Sequence, residues 1–104
     1  MHLVTEQSFN EQVLEGKGFV LCDFQTEWCG PCKQQLQTLQ ELVLEIDVPV
    51  FTMNIDKQLD ICIKYNIQSV PTIILFQDGK VIAVKRGYQN KTQILELLTD
   101  RGAI

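Results

Sequence analysis

EWCGPCK, residues 27 to 33, places Cys29 and Cys32 three positions apart, with a glycine and a proline between them and a tryptophan in front. A cysteine pair at this spacing is typical of three arrangements: a reversible disulfide, half of a metal site, or two inert buried thiols. The segments on either side of the pair help to decide between them.

The segment before the cysteines has the pattern of a buried strand. FVLCDF, residues 19 to 24, is apolar except for Asp23, as expected for a central strand covered on both faces. Beyond the cysteines, apolar residues recur every three or four positions, which predicts a helix from about Gly30 to near Asp47. Pro31 suits the first turn of that helix, because the N–H that proline lacks would have no partner there.

A pair at the start of a helix favours the reversible disulfide. Residues three apart in the first turn lie on the same side, at a Cα separation that a disulfide can bridge. The N–H groups and the dipole at the helix start favour a negative charge on Cys29, so its nucleophilic thiolate should form at a lower pH than usual. Gly30 leaves room for a partner's backbone, and Pro31 stiffens the pair. Trp28 is predicted to form an exposed apolar rim beside the sulfur, with burial in the core as the alternative.

The metal interpretation lacks ligands. Structural zinc sites usually draw four ligands from two closely spaced pairs, whereas the other candidates here, Cys22, Cys62 and His2, form no second pair. No metal site is therefore predicted. Cys22 and Cys62 are expected to be small core residues, and a regulatory role for Cys62 would require exposure.

The remaining pattern predicts an α/β fold with a central mixed sheet of about five strands flanked by four helices. The apolar strands joined through helices should be parallel, and Asp78-Gly79 predicts an antiparallel hairpin at one edge. A short helix should have Leu59, Cys62 and Ile63 on one face. The other predicted elements are a weak strand (3 to 5), a helix (5 to 15), a strand (48 to 55), a start of the short helix at Asp56, a strand (72 to 76), a strand (81 to 85) and a final helix capped by Asn90 with Gln93.

The totals limit the classes of function. A chain of 104 residues, 45% hydrophobic and 21% charged, fits one domain over residues 1–104. The net charge of −4 argues against a surface that binds nucleic acid. The first residues lack the pattern of a signal peptide, and no apolar run approaches the roughly 18 residues of a membrane span. We therefore expect a cytoplasmic protein, in which a close cysteine pair is more often catalytic or metal-binding than structural.

Taken together, these residues resemble the thioredoxin family. The match runs through DF..EWCGPCK (23–33), NID (54–56), VPT (70–72), F.DGK (76–80) and RGY (86–88), and WCGPC with a downstream VPT is a highly specific combination. The resemblance implies the thioredoxin fold and the reduction of protein disulfides by a dithiol cycle.

The resemblance also implies roles for single residues. Cys29 would be the attacking thiol and Cys32 the resolving thiol. Asp23 would be a buried carboxylate whose pKa is raised by desolvation and which exchanges a proton with Cys32, whereas an acid paired with a lysine is the alternative. Val70-Pro71 would be a cis bond facing the disulfide, where the backbone of Val70 pairs with a substrate strand. Gly87 would lie on the same surface, although a strand-starting proline and a turn glycine are the plainer interpretations.

The expected activity is that of a monomeric reductant of disulfide-containing proteins, with no bound cofactor and with electrons from NADPH through a thioredoxin reductase. A binding module whose thiols are secondary, and an oxidase or isomerase, are the alternatives. Thr52 stands where many bacterial members carry a lysine, which should raise the pKa of the buried acid further. Gln37 replaces a kink-forming proline, which predicts a straighter helix. Other departures from the common pattern are Gln25, Ser69 and Arg86.

Overall fold

One five-stranded mixed sheet organises the chain. The computed structural model describes residues 1–104. Its strands are β1 (His2–Leu3), β2 (Phe19–Gln25), β3 (Val50–Asn54), β4 (Thr72–Gln77) and β5 (Lys80–Arg86). Its helices are α1 (Glu6–Phe9), which continues as a π-helical turn (Asn10–Leu14), α2 (Gly30–Leu42), α3 (Leu59–Lys64) and α4 (Lys91–Asp100). The strand order is β1-β3-β2-β4-β5, which confirms the predicted fold class.

Strand direction differs from the prediction at β4. β1, β3 and β2 are parallel, whereas β4 runs antiparallel to β2 and β5 runs antiparallel to β4. The prediction that every apolar strand joined through a helix is parallel was therefore wrong for β4. An apolar run indicates that a strand is buried, but it carries no information about the direction of that strand.

Strand β2 lies between two hydrophobic clusters. Because side chains alternate along the strand, Val20, Cys22 and Phe24 face one side and pack in a cluster with the first helix. Leu21 faces the other side and packs in a cluster with α2 and α4. By the same alternation Asp23 points to the face that α2 covers. Every residue from Val20 to Phe24 is buried, as the apolar run predicted.

Side chains cap two helices, of which only the capping box at α4 was predicted from the sequence. Asn90 and Gln93 form a capping box at α4, in which each side chain accepts a hydrogen bond of 2.8 Å from the other's backbone N–H. Thr5 and Ser8 form a second capping box at α1. Asp78 and Gly79 both have positive φ, at 52° and 79°, as a tight hairpin between β4 and β5 requires.

Two helix predictions were wrong. α2 ends at Leu42 rather than near Asp47, and turns follow over residues 43 to 45. Val43 and Ile46 still pack against the core from outside the helix, which is why the apolar spacing continued past its end.

No helix in the structure is both long enough and apolar enough to cross a membrane.

The second error concerns α3. Asp56 does not cap this helix: its N–H donates to the side chain of Asn54, and the cap position belongs to Gln58. Leu59 and Ile63 do share a face, but that face points to solvent, with exposures of 70% and 69%. The buried residue of α3 is instead Ile61. A helix of six residues is too short for its apolar spacing to show which face lies inward.

Candidate active site

The two cysteines of the opening motif lie where the centre of the sheet meets α2. Cys29 is the N-cap residue of α2, and Cys32 lies in its first turn. Their sulfurs are joined in a disulfide with a Cα separation of 5.1 Å. Cys29 is half-buried, whereas Cys32 is completely buried. Of the two sulfurs, the one on Cys29 is therefore the more accessible to a partner.

The surroundings of the Cys29 sulfur suit a thiolate. The backbone N–H of Cys32 donates to Cys29 Sγ at 3.1 Å. The carbonyl oxygen of Val70 lies 3.8 Å from the same sulfur. After reduction, the N–H and the helix start would both stabilise a negative charge on Cys29.

The residues next to the cysteines in the chain are exposed to solvent. Trp28 is 87% exposed, which confirms the prediction of a rim over that of a core residue. A Cβ atom added to Gly30 would meet no atom within 4 Å, so this side of the loop is open to a partner. Pro31 is exposed in the first turn of α2. These three residues leave the loop accessible from solvent.

The segment before β4 lies against the disulfide from the other side. The Val70-Pro71 bond is cis, as the family resemblance implied. Val70 is half-buried and Pro71 is buried. Gly87 donates its N–H to the Pro71 carbonyl oxygen at 2.8 Å, and its φ of 84° is one that other residues rarely adopt. We use the name docking surface for Trp28, Gly30, Val70, Pro71 and Gly87.

Asp23 is a buried acid with one hydrogen-bond partner. Its side chain has no solvent exposure, and Oδ2 accepts a bond of 3.3 Å from the hydroxyl of Thr52. Its Oδ1 has no partner. Burial raises the pKa of Asp23 to about 7, while the Thr52 hydrogen bond acts in the opposite direction. The chain's one ion pair joins Lys91 and Glu45, so the alternative of an acid paired with a lysine was wrong.

The other two cysteines lie in the core or against it. Cys22 is fully buried, and burial, with a smaller contribution from Asp23, raises the pKa of its thiol well above the usual value. Cys62 is half-buried and packs against the same cluster as Cys22. No three His, Cys, Asp or Glu side chains come together in a way that could hold a metal ion.

A polar contact next to the cysteines on α2 was not predicted from the sequence. Gln35 is fully buried one turn after Cys32, and its side-chain amide bonds to the backbone of Gln89. Thr38, a further turn along α2, shares a hydrogen bond of 2.7 Å with the hydroxyl of Tyr88. The spacing of Gln35 from Cys32 and Leu39 places it on the buried face of α2, and that was the available signal.

The fold and this site together define a thiol–disulfide oxidoreductase, because two adjacent sulfurs at a helix start can exchange between a dithiol and a disulfide. The family model for thioredoxin matches residues 1–100. The chain is 43% identical to a thioredoxin of Rickettsia felis over 95 residues, and this aligned region covers 89% of this chain and 90% of that protein. It is also similar to thioredoxins of Pseudomonas aeruginosa, at 40% over 97 residues (91% and 90% covered), and of Rhodospirillum rubrum, at 40% over 98 residues (92% and 94% covered). The chain therefore belongs to the thioredoxin family.

Proposed function

We propose that Cys29 attacks disulfides in partner proteins and that Cys32 resolves the resulting mixed disulfide. The Cys29 thiolate forms a bond to one target sulfur, and the other target sulfur leaves as a thiolate that takes up a proton. Cys32 then loses its proton and attacks the Cys29 sulfur, which releases the second target thiol. Two electrons pass to the target, and the Cys29–Cys32 disulfide remains.

One observation carries this assignment: the two sulfurs differ in access. Cys29 is half-buried and receives the N–H of Cys32, whereas Cys32 has no exposed surface. A partner sulfur can therefore reach Cys29 only. Cys32 is close enough to replace that partner without any backbone movement, since the Cα atoms are already 5.1 Å apart.

Asp23 is proposed as the group that takes the proton from Cys32 in the second step. It lies on the face of β2 that α2 covers, and its pKa of about 7 makes both protonation states available at neutral pH. Because Oδ1 has no protein partner, that oxygen is free to bind the transferred proton.

The docking surface is proposed to hold an extended segment of the target. The Val70 carbonyl lies beside Cys29 Sγ, so a target strand that paired with Val70 would bring its own sulfur to the attacking atom. The exposed Trp28 and the open space above Gly30 provide an apolar contact without a steric barrier.

The dithiol must be restored after each turnover. We propose NADPH as the electron source, through a thioredoxin reductase, with no cofactor bound to this chain. Residues 1–104 are proposed to act as one domain and as a monomer in the cytoplasm, without binding to nucleic acid or membrane. The net charge of −4 supports the exclusion of nucleic acid.

The test is the reduction of insulin by dithiothreitol at neutral pH. The wild type should accelerate the reaction, and Cys29→Ser should not. Pre-reduced Cys32→Ser, mixed with insulin after the dithiothreitol has been removed, should accumulate a mixed disulfide visible on a non-reducing gel. Cys62→Ser is the matched control and should retain the wild-type rate, because Cys62 lies outside the exchanging pair. Turnover by Cys29→Ser would contradict the assignment.

A further inference from the structure

Gln35 is an unusual residue for the interior of this fold. It has no exposed surface, although glutamine is seldom fully buried in proteins. Burial of an amide is unfavourable unless its polar atoms are hydrogen-bonded. Its position one turn after Cys32 places it directly behind the disulfide, on the face of α2 that packs against the rest of the protein.

Both polar atoms of the Gln35 side chain form hydrogen bonds to the backbone of one residue, Gln89. Gln35 Nε2 donates to the carbonyl oxygen of Gln89 at 3.0 Å, and the Gln89 N–H donates to Gln35 Oε1 at 2.7 Å. Donor and acceptor on one side chain thus meet the acceptor and donor of one backbone residue. Two such bonds fix both the distance and the orientation of that backbone relative to α2.

The segment held by Gln35 reaches the docking surface within two residues. The Gln89 side chain donates to the Gly87 carbonyl oxygen at 3.4 Å, and the Gly87 N–H donates to the Pro71 carbonyl oxygen at 2.8 Å. The hydrogen bond between Thr38 and Tyr88 lies between these contacts along the chain. A continuous set of hydrogen bonds therefore joins α2, whose N-cap is Cys29, to the loop that faces the Cys29 sulfur.

We infer that Gln35 is a positioning residue for disulfide exchange. Its buried amide holds residues 87 to 89 against α2. It thereby sets the distance between Gly87, which is part of the docking surface, and Cys29. The inference rests on the proposed docking of protein substrates at this surface. A large partner needs both sides of the surface in place, whereas a small disulfide needs only access to the Cys29 sulfur. Gln35 should therefore matter for protein disulfides and not for small ones.

The first experiment measures the Gln35–Gln89 contact directly. Hydrogen exchange of the Gln89 amide should be faster in Gln35→Leu than in the wild type, because leucine cannot accept its hydrogen bond. The Ile94 amide, which donates to Asn90 within α4, is the internal control and should be unchanged. Equal exchange of Gln89 in both proteins would overturn the inference, whether or not insulin is a substrate.

The second experiment measures function in a single turnover. Pre-reduced wild type and Gln35→Leu are mixed with insulin or with the small disulfide dithiobis(nitrobenzoate). Gln35→Leu removes both hydrogen bonds to Gln89, and the loss of each corresponds to about a fivefold change, so the rate constant for insulin should fall by at least about fivefold. The rate constant for the small disulfide should stay within about twofold, since the sulfur itself is unaltered. Equal changes for both substrates, or no change for either, would overturn the inference.

Two further variants separate positioning from a loss of stability. Leu42→Ala removes a fully buried side chain at the far end of α2 and should lower stability without changing the ratio of the two rate constants. If Gln35→Leu does not fold, Tyr88→Phe takes its place, because it removes only the hydroxyl that bonds to Thr38 and should lower the same ratio to a smaller extent. An insulin rate of zero for the wild type would contradict the proposed function and would leave the exchange result on Gln89 to decide the inference.

Discussion

The buried carboxyl of Asp23 should make the stability of the oxidised protein fall as the pH rises. Burial raises its pKa from an ordinary value of 3.8 to about 7, so between these values the folded protein holds a proton that the unfolded chain has released. The free energy of unfolding decreases with pH wherever the folded state binds more protons. The contribution of Asp23 is thus fully present below pH 4 and is lost as the pH passes 7.

The size of the effect follows from the shift. A difference of about three pKa units at about 1.4 kcal/mol per unit gives a total loss of about 4 kcal/mol. Roughly 2.5 kcal/mol of this should be lost between pH 5 and pH 8, because the remainder is already lost between about pH 3.8 and pH 5, where the unfolded chain releases its proton. That loss is a large fraction of the stability of a domain of this size.

The assay is equilibrium unfolding in guanidinium chloride at pH 5, 6, 7 and 8, with the disulfide intact so that Cys29 and Cys32 do not titrate. Asp23→Asn should remove the decline, leaving a nearly flat profile over this range. Asp47→Asn, a change at an exposed acid, should keep the wild-type decline. Parallel profiles for the wild type and Asp23→Asn would refute the reasoning, whatever the absolute stability of the variant.

Other side chains give further tests. Trp28→Ala should change the free energy of unfolding by less than about 0.5 kcal/mol, because the ring is exposed, yet slow insulin reduction; a large loss of stability would contradict the exposed position. In the native oxidised protein, iodoacetamide should label Cys62 slowly and Cys22 only after unfolding, because Cys22 is fully buried and its thiol has a raised pKa. Mass spectrometry of the labelled protein checks this. Phe9→Ala should cost about 3–5 kcal/mol in chemical denaturation because Phe9 contacts three other aromatic rings, and a cost below 1 kcal/mol would contradict that packing.

The site was more predictable from sequence than some of the elements around it. Cys29, Cys32 and the exposed Trp28 follow from local rules, because the helix start and the spacing of the cysteines involve neighbours in the chain. The burial of Asp23 was also predictable, since apolar residues surround it on both sides.

Features that depend on distant contacts were not predictable. The direction of β4 depends on how the chain returns to the sheet, and the inward face of α3 depends on what packs beneath Ile61. The contact between Gln35 and Gln89 joins residues 54 positions apart, and nothing in the spacing of either residue indicates its partner. Spacing rules describe neighbours on one element, whereas these features arise where elements meet.

The central position of β2 in the sheet limits local opening of the protein at the active site. This strand is paired along both edges, from Leu21 to Gln25 with β3 and from Phe19 to Phe24 with β4, and it leads directly into the cysteine loop. Fraying at a sheet edge or a terminus therefore cannot loosen the carboxyl end of β2. Amides in this strand should exchange with solvent only when the whole molecule opens, at a rate set by the global free energy of unfolding. Disulfide exchange in this chain thus takes place beside its slowest-exchanging segment. A difference in the hydrogen-exchange rates of the β2 amides between the oxidised and reduced forms would therefore measure how much the disulfide contributes to global stability.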